Sequence, residues 1–200
     1  MLLSIDTSTS RGSVALLDGG ALLLDEIFSA DRSHTSTLFP ILEKARALAP
    51  RMDRIAIGLG PGSYAGIRIA IAAAHGVALG TGAQLVGLPS VAALDCDAPS
   101  YLCIGDARRD TFYFTRVEHG LCTEGPLLLD EASLRVRLRD LSDWPVFSTE
   151  AIALFPQAQI AIPLASRLAR LAAAGCGIEV SDALEPLYLR EPHITLPKPR

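Results

Sequence analysis

Half of the 200 residues are hydrophobic, only 20% are charged, and the mean hydropathy is +0.32. That balance excludes intrinsic disorder, which needs low hydropathy and high charge, and the length suits one large domain or two small ones. The net charge is −4, and the 18 basic residues, all arginine except Lys44 and Lys198, are scattered along the chain. No basic stripe of the kind that lets a chain grip RNA by itself is present in the sequence.

Residues 2–5 are an apolar run closed by Asp6. A polar turn over 7–12 leads into a strand at 13–17, and Asp18-Gly19-Gly20 is a hairpin signal before a strand at 21–28. The period then becomes helical over 33–49, where Leu38, Ile41, Leu42, Ala45, Leu48 and Ala49 recur on one face. Ser33 or Ser36 could cap this helix, and Pro40 is expected in its first turn or at a kink. A buried strand at 52–59 runs into Gly60-Pro61-Gly62-Ser63, which opens a long helix over 64–79. A strand at 84–88 and a short helix at 90–94 close this half.

The second half repeats the opening. Residues 101–105 are apolar and end at Asp106, a polar turn at 107–110 leads into an alternating strand at 111–117, and a turn at 118–120 precedes a strand at 121–129. A helix at 131–139, a strand at Val146 and Phe147, a helix at 164–174, and a late strand or extended segment at 184–189 come next. The Pro-rich tail 192–200 reads as irregular. Strand, Asp, turn, strand, turn, strand, helix thus occurs twice, about 100 residues apart. This predicts a duplicated α/β fold with a cleft between lobes at 1–99 and 100–200, the second thinner in helices.

From Ile69 to Leu94 there is no Asp, Glu, Lys or Arg. The stretch is long enough to cross a bilayer, but Gly76, Gly80, Gly82, Gly87 and Pro89 punctuate it. It reads as a buried helix, a turn and a buried strand, with no membrane association. The N-terminus lacks a basic leader and meets a charge at Asp6. Cys96, Cys103, Cys122 and Cys176 form no CxxC pair or zinc spacing. Reduced thiols in a cytoplasmic protein are expected.

Gly60-Pro61-Gly62-Ser63 has two readings. Glycines at a strand-to-helix turn let a backbone approach a phosphate, and a helix start attracts anions. Equally, they let the helix pack tightly on its neighbours. No Walker A loop is present. Gly62, Gly66, Ala70, Ala74 and Ala78 make a small-residue stripe, either for packing within the domain or for a partner. Asp6 and Asp106 end equivalent strands, where they could face each other across a cleft and hold Mg²⁺, or cap their own turns. Thr7 and Ser8 could bind phosphate oxygens or simply make the turn. His34, His75, His119 and His193 form no HxxxH pair, and no metal site is expected. There is no GxSxG.

Taken together, Ile5-Asp6-Thr7-Ser8-Thr9, Ser33-His34-Thr35-Ser36, Gly60-Pro61-Gly62-Ser63-Tyr64-Ala65-Gly66-Ile67-Arg68-Ile69, Leu88-Pro89-Ser90, Asp106-Ala107-Arg108-Arg109 and Glu185-Pro186-Leu187-Tyr188-Leu189-Arg190 resemble the bacterial TsaB (YeaZ) family over residues 2 to about 190. The family pattern at 60–69 is GPGSFTGLRIG, from which Tyr64-Ala65 departs. The resemblance implies the actin-like/sugar-kinase ATPase superfold in two lobes with the second reduced. It implies a non-catalytic subunit in the making of N6-threonylcarbamoyladenosine beside the anticodon of tRNAs that read ANN codons. The implied partners are the catalytic paralogue TsaD and the small ATPase TsaE, with tRNA met only through the complex and a homodimer when TsaD is absent. No intrinsic cofactor is implied, although ATP or ADP could lie at the complex interface. The implied pairing surface is Leu38, Ile41, Leu42, Ala45, Ile67, Ala70, Ile71 and Ala74. Asp6, Thr7, Ser8, Gly60, Pro61, Gly62, Ser63 and Asp106 would be a vestigial nucleotide site. The rival from another class is a free-standing ATP-dependent phosphotransferase or ATPase of the same superfold, working through Asp6, Asp106 and the 60–63 loop.

Overall fold

The computed structural model describes residues 1–29, 34–180 and 184–189. The Ser33 cap, His193 and the Pro-rich tail lie outside the described residues.

The predicted repeat is built twice. In the first lobe β1 (Leu2–Asp6), β2 (Arg11–Asp18) and β3 (Ala21–Ser29) form an antiparallel meander. Helix α1 (His34–Leu48) comes next, then β4 (Arg54–Gly58) returns parallel to β1. Helix α2 (Tyr64–Thr81) leads to β5 (Gln84–Leu88), parallel to β4, and a 3-10 turn spans Ser90–Ala93. The second lobe repeats the meander with β6 (Ser100–Asp106), β7 (Thr111–Glu118) and β8 (Leu121–Asp130). Helix α3 (Glu131–Asp140) leads to β9 (Val146–Ser148), parallel to β6, and then β10 (Gln159–Ile160), parallel to β9. The strand orders β3-β2-β1-β4-β5 and β8-β7-β6-β9-β10 are the same. The fold is the two-lobed actin-like/sugar-kinase superfold. The second lobe has no helix between β9 and β10 where the first has α2.

The last third of the chain departs from the sequence expectation. Helix α4 (Ala165–Ala173) and β11 (Ile178–Val180) return to the first lobe, where β11 pairs antiparallel with β5. The boundary at 99/100 is therefore corrected: the first lobe is made from two separated pieces of chain. The reason lies in its sheet, which is apolar on both faces. One face packs Leu3, Ile5, Val14, Ile55 and Ile57 against α1 and α2. The other presents Leu2, Leu17, Ala56, Val86 and Leu88, which α4 covers with Leu168, Ala169 and Ala172. The start of α4 is pinned by serines of the sheet. Ser13 Oγ accepts from the Ala165 N–H at 2.8 Å, and Ser4 Oγ donates to the Ala165 carbonyl at 2.5 Å. At its other end the Arg54 guanidinium donates to the Ala172 carbonyl at 2.8 Å, beside the Gly175 N–H that closes the helix end at 3.1 Å.

Helix ends obey capping chemistry. Ser63 is extended and its Oγ accepts from Gly66 N–H, opening α2; Gly82, at φ +72°, takes the left-handed cap that closes it. Asp130 opens α3 by accepting from Ser133 N–H at 2.8 Å, and hydrogen bonds from Ser133, its hydroxyl first, hold the Asp130 carboxyl below the usual carboxylate range. Pro40 lies inside α1, past its first turn. No helix among the described residues is long and apolar enough to cross a membrane. The uncharged stretch 69–94 resolves into α2, β5 and the 3-10 turn, as expected from its glycines.

Candidate functional site

The candidate site is an inter-lobe cleft and the glycine loop beneath it. Asp6 ends β1 almost fully buried, at 1% exposure. Its Oδ1 accepts from the Ser8 N–H at 2.9 Å and from Ser8 Oγ at 2.7 Å. The turn it stabilises interlocks with the loop before α2. Ser63 N–H donates to the Ser8 carbonyl at 2.6 Å, and Thr7 Oγ1 donates to the Gly66 carbonyl at 2.7 Å. The glycines are required by these approaches. A Cβ on Gly62 would lie 2.1 Å from the Ser8 carbonyl oxygen, and one on Gly58 would lie 1.9 Å from Asp6 Oδ2. Gly60, at φ +94°, makes two hydrogen bonds with Ser90: its N–H donates to the Ser90 Oγ at 2.9 Å and its carbonyl accepts from the Ser90 N–H at 2.8 Å.

Of the two readings of this loop, the geometry realises tight packing. The donors at the start of α2 that an incoming phosphate would need are partly committed: Ser63 N–H to Ser8, Gly66 N–H to Ser63 Oγ at 3.2 Å, Ile67 N–H to the Ser63 carbonyl at 3.0 Å.

Above the loop lies a cleft of about 480 Å³ between the lobes. Of the predicted nucleotide-site residues, Ser8, Gly62, Ser63 and Asp106 reach its wall. Asp6, Thr7, Gly60 and Pro61 lie under it, in the packed base. Asp106 is exposed at the second-lobe wall, bonded to the Arg108 N–H at 2.6 Å and paired with its guanidinium at 3.1 Å. The two aspartates that end equivalent strands are therefore in different roles, one a buried turn lock and one a wall residue. After Asp106, residues Arg108, Arg109 and Asp110 have positive φ of 63°, 55° and 56°, a left-handed run that side chains disfavour. Glu150 stands on the same wall. Among the described residues no group of three or more histidine, cysteine or acidic side chains is placed to hold a metal ion.

The helices expected to pair with a partner need a correction of face. Leu38, Leu42, Ala45, Ala70 and Ala74 are buried in the core of their own lobe, and Ile41 and Ile71 pack half-buried against it. Ile67, 2% exposed, packs against Gly60 at the base of the cleft. The small-residue stripe through Gly66, Ala70 and Ala74 also faces inward. What α2 presents outward is Tyr64, Ala65, Arg68, Ala72, Gly76, Leu79 and Gly80. Leu79 is 90% exposed, and Arg68 is the helix's only charged residue. Beside it α1 exposes Phe39 and Leu48. The sequence holds the signal for this second stripe, spaced by three or four from Tyr64 to Leu79, but both stripes are apolar and only the sheet decides which turns in.

Comparison with known proteins gives one consistent result. A family model described as TsaD, tRNA N6-adenosine threonylcarbamoyltransferase, matches residues 28–125. The tRNA threonylcarbamoyladenosine biosynthesis protein TsaB of Escherichia coli K12 is 28% identical, over 94% of each chain. An uncharacterized protein of Mycobacterium bovis is 31% identical over 96% of this chain and 92% of its own. Among solved structures, YeaZ from Pseudomonas aeruginosa superposes with a TM-score of 0.72 at 27% identity, covering 94% of this chain and 99% of that one.

Proposed function

We propose that the chain, a member of the TsaB (YeaZ) family, serves tRNA threonylcarbamoyladenosine biosynthesis as a non-catalytic subunit that docks on a TsaD-type catalytic partner. The observation that carries this reading is the outward face of α2. It is a four-turn helix face with one charge, small residues at Ala65, Ala72 and Gly76, and Leu79 standing almost wholly in water. A face of small residues lets another helix approach closely, and burying an exposed leucine contributes roughly 1.5–3 kcal/mol. The same face would receive a second copy when the partner is absent. The glycine loop supports the non-catalytic role, since several of its donors are spent on carbonyls and serine hydroxyls of the protein itself.

On this reading the chain carries no cofactor of its own, ATP or ADP binds at the complex interface, TsaE joins the pair, and tRNA is met through the assembly in the cytoplasm. The free-standing phosphotransferase reading draws no support from a base that Asp6 and Gly58 fill. Mixing the protein with its cognate TsaD and measuring mass in solution tests the proposal. We expect a heterodimer, at least tenfold weakened by Leu79→Glu or Ala72→Glu with the fold intact. Full-strength pairing and full tRNA modification by both variants would overturn it.

A further inference from the structure

Among the described residues, two places where the chain crosses between the lobes bear on the cleft. In one, two crossing segments run side by side: Leu94 bridges Pro163, the Asp95 N–H donates to the Ile162 carbonyl and the Leu164 N–H to the Ala93 carbonyl. In the other, residues 184–189 pass over the mouth of the cleft. Leu184 is 6% exposed, in the core of the first lobe, beside Gly87, where a Cβ would lie 2.9 Å from its methyl group. The Leu187 N–H donates to the Leu59 carbonyl at 2.9 Å, at the very start of the glycine loop. Leu189 packs against the second lobe's core. Between these anchors Tyr188 turns onto the first turn of α2, its ring centroid 5.6 Å from that of Tyr64. Arg68 completes the cluster. Its guanidinium donates to the Tyr64 hydroxyl at 2.9 Å and lies 5.3 Å from the Tyr64 ring centroid. The Tyr188 hydroxyl, and after it that of Tyr64, raises the Arg68 pKa above its ordinary value.

Two facts make this cluster more than packing. Tyr64 and Tyr188 are 54% and 40% exposed, so the aromatic surface remains available to a second molecule. It also continues the outward stripe of α2 at its cleft-side end, and tyrosine and arginine are residue types that dominate binding energy at protein interfaces. Long side chains lose freedom on docking, and holding them beforehand improves affinity.

We propose that residues 184–189 are a clasp between the lobes and that Tyr188 is a positioning residue, holding Tyr64 and Arg68 in the arrangement the catalytic partner meets. This rests on the reading that the outward face of α2 is the docking face. Partner affinity and lobe closure are then linked, because the same six residues fasten both.

The test uses the full chain and its cognate TsaD. The amide exchange of Leu187 reports the clasp, that of Ile5 reports the fold, and the Kd reports docking. Tyr188→Ala is expected to speed Leu187 exchange at least tenfold, leave Ile5 unchanged and weaken binding about tenfold. Tyr188→Phe keeps the ring contact and should stay within about threefold of the parent in Kd. Leu189→Ala loosens the second-lobe anchor; it should speed Leu187 exchange and weaken binding in the same direction. Unchanged Leu187 exchange in Tyr188→Ala would overturn the clasp, and faster exchange with unchanged Kd would overturn the coupling. Leu79→Glu separates the premise: if it binds as tightly as the parent, the docking-face reading fails whatever the clasp does.

Discussion

Asp6 and Asp106 end the first strands of two sheets with the same strand order, and each accepts from the N–H two residues on. Asp6 is sealed in and Asp106 stands in the cleft wall. The difference comes from the segment after the fourth strand of each lobe. After β4 comes a glycine loop and an eighteen-residue helix, which together press onto the Asp6 turn through Ser63 and Thr7. After β9 there is no helix before β10, and the Asp106 turn is met by Arg108 in its place. A duplicated motif has thus become a structural joint in one copy and a surface in the other.

The joint should break first. Gly58→Ala drives a methyl into Asp6 Oδ2 and Ser90 Oγ, and overpacking of this kind costs about 3 kcal/mol. That corresponds to a Tm roughly 6–12 °C lower by calorimetry. Asp6→Ala removes the acceptor of two buried bonds and should cost about 2–4 kcal/mol in urea unfolding. Asp106→Ala, the matched change in the other lobe, should cost less than about 1 kcal/mol, since exposed pairs contribute little. Equal losses at both positions would erase the distinction. Arg109→Gly relieves one left-handed residue in the exposed turn and should stabilise by up to about 1 kcal/mol.

A further effect concerns pH and separates the lobes by their thiols. Burial pushes Cys103 up to about 12 and Cys122 up to about 11, both from 9.0. The folded second lobe keeps these thiols protonated, while the unfolded chain loses the protons near its ordinary value. Stability must therefore fall as pH rises above about 9, until the folded values are reached. Amide exchange should accelerate in β6 and β7 before β1 and β4; the reverse order would count against the assignment.

Much of this is legible in the sequence. The repeat shows because each copy pairs an apolar run with an aspartate and a polar turn, and Ser63 and Gly82 mark α2 at both ends. Three things are not legible, each for a physical reason. The buried face of α2 cannot be told from the outward one because Gly66, Ala70 and Ala74 and the outward Ala65, Ala72 and Gly76 are chemically alike. Helix α4 announces an apolar side through Leu168 and Ala172 but not which sheet receives it. The clasp has no periodicity to read, since Leu184, Leu187 and Leu189 act as separate anchors rather than as one face.

The return of α4 and β11 to the first sheet also sets an order of events at the ribosome. The first lobe lacks one covering layer until residues around 173 emerge, some eighty residues after β5 and the 3-10 turn are made. At about 5–20 residues per second that interval is roughly 4–16 s. Through it Leu2, Ala56, Val86 and Leu88 remain uncovered by their helix, and the outer edge of β5 remains unpaired. The lobe that starts first finishes last, and nascent chains stalled within the second lobe are the species that should recruit chaperones.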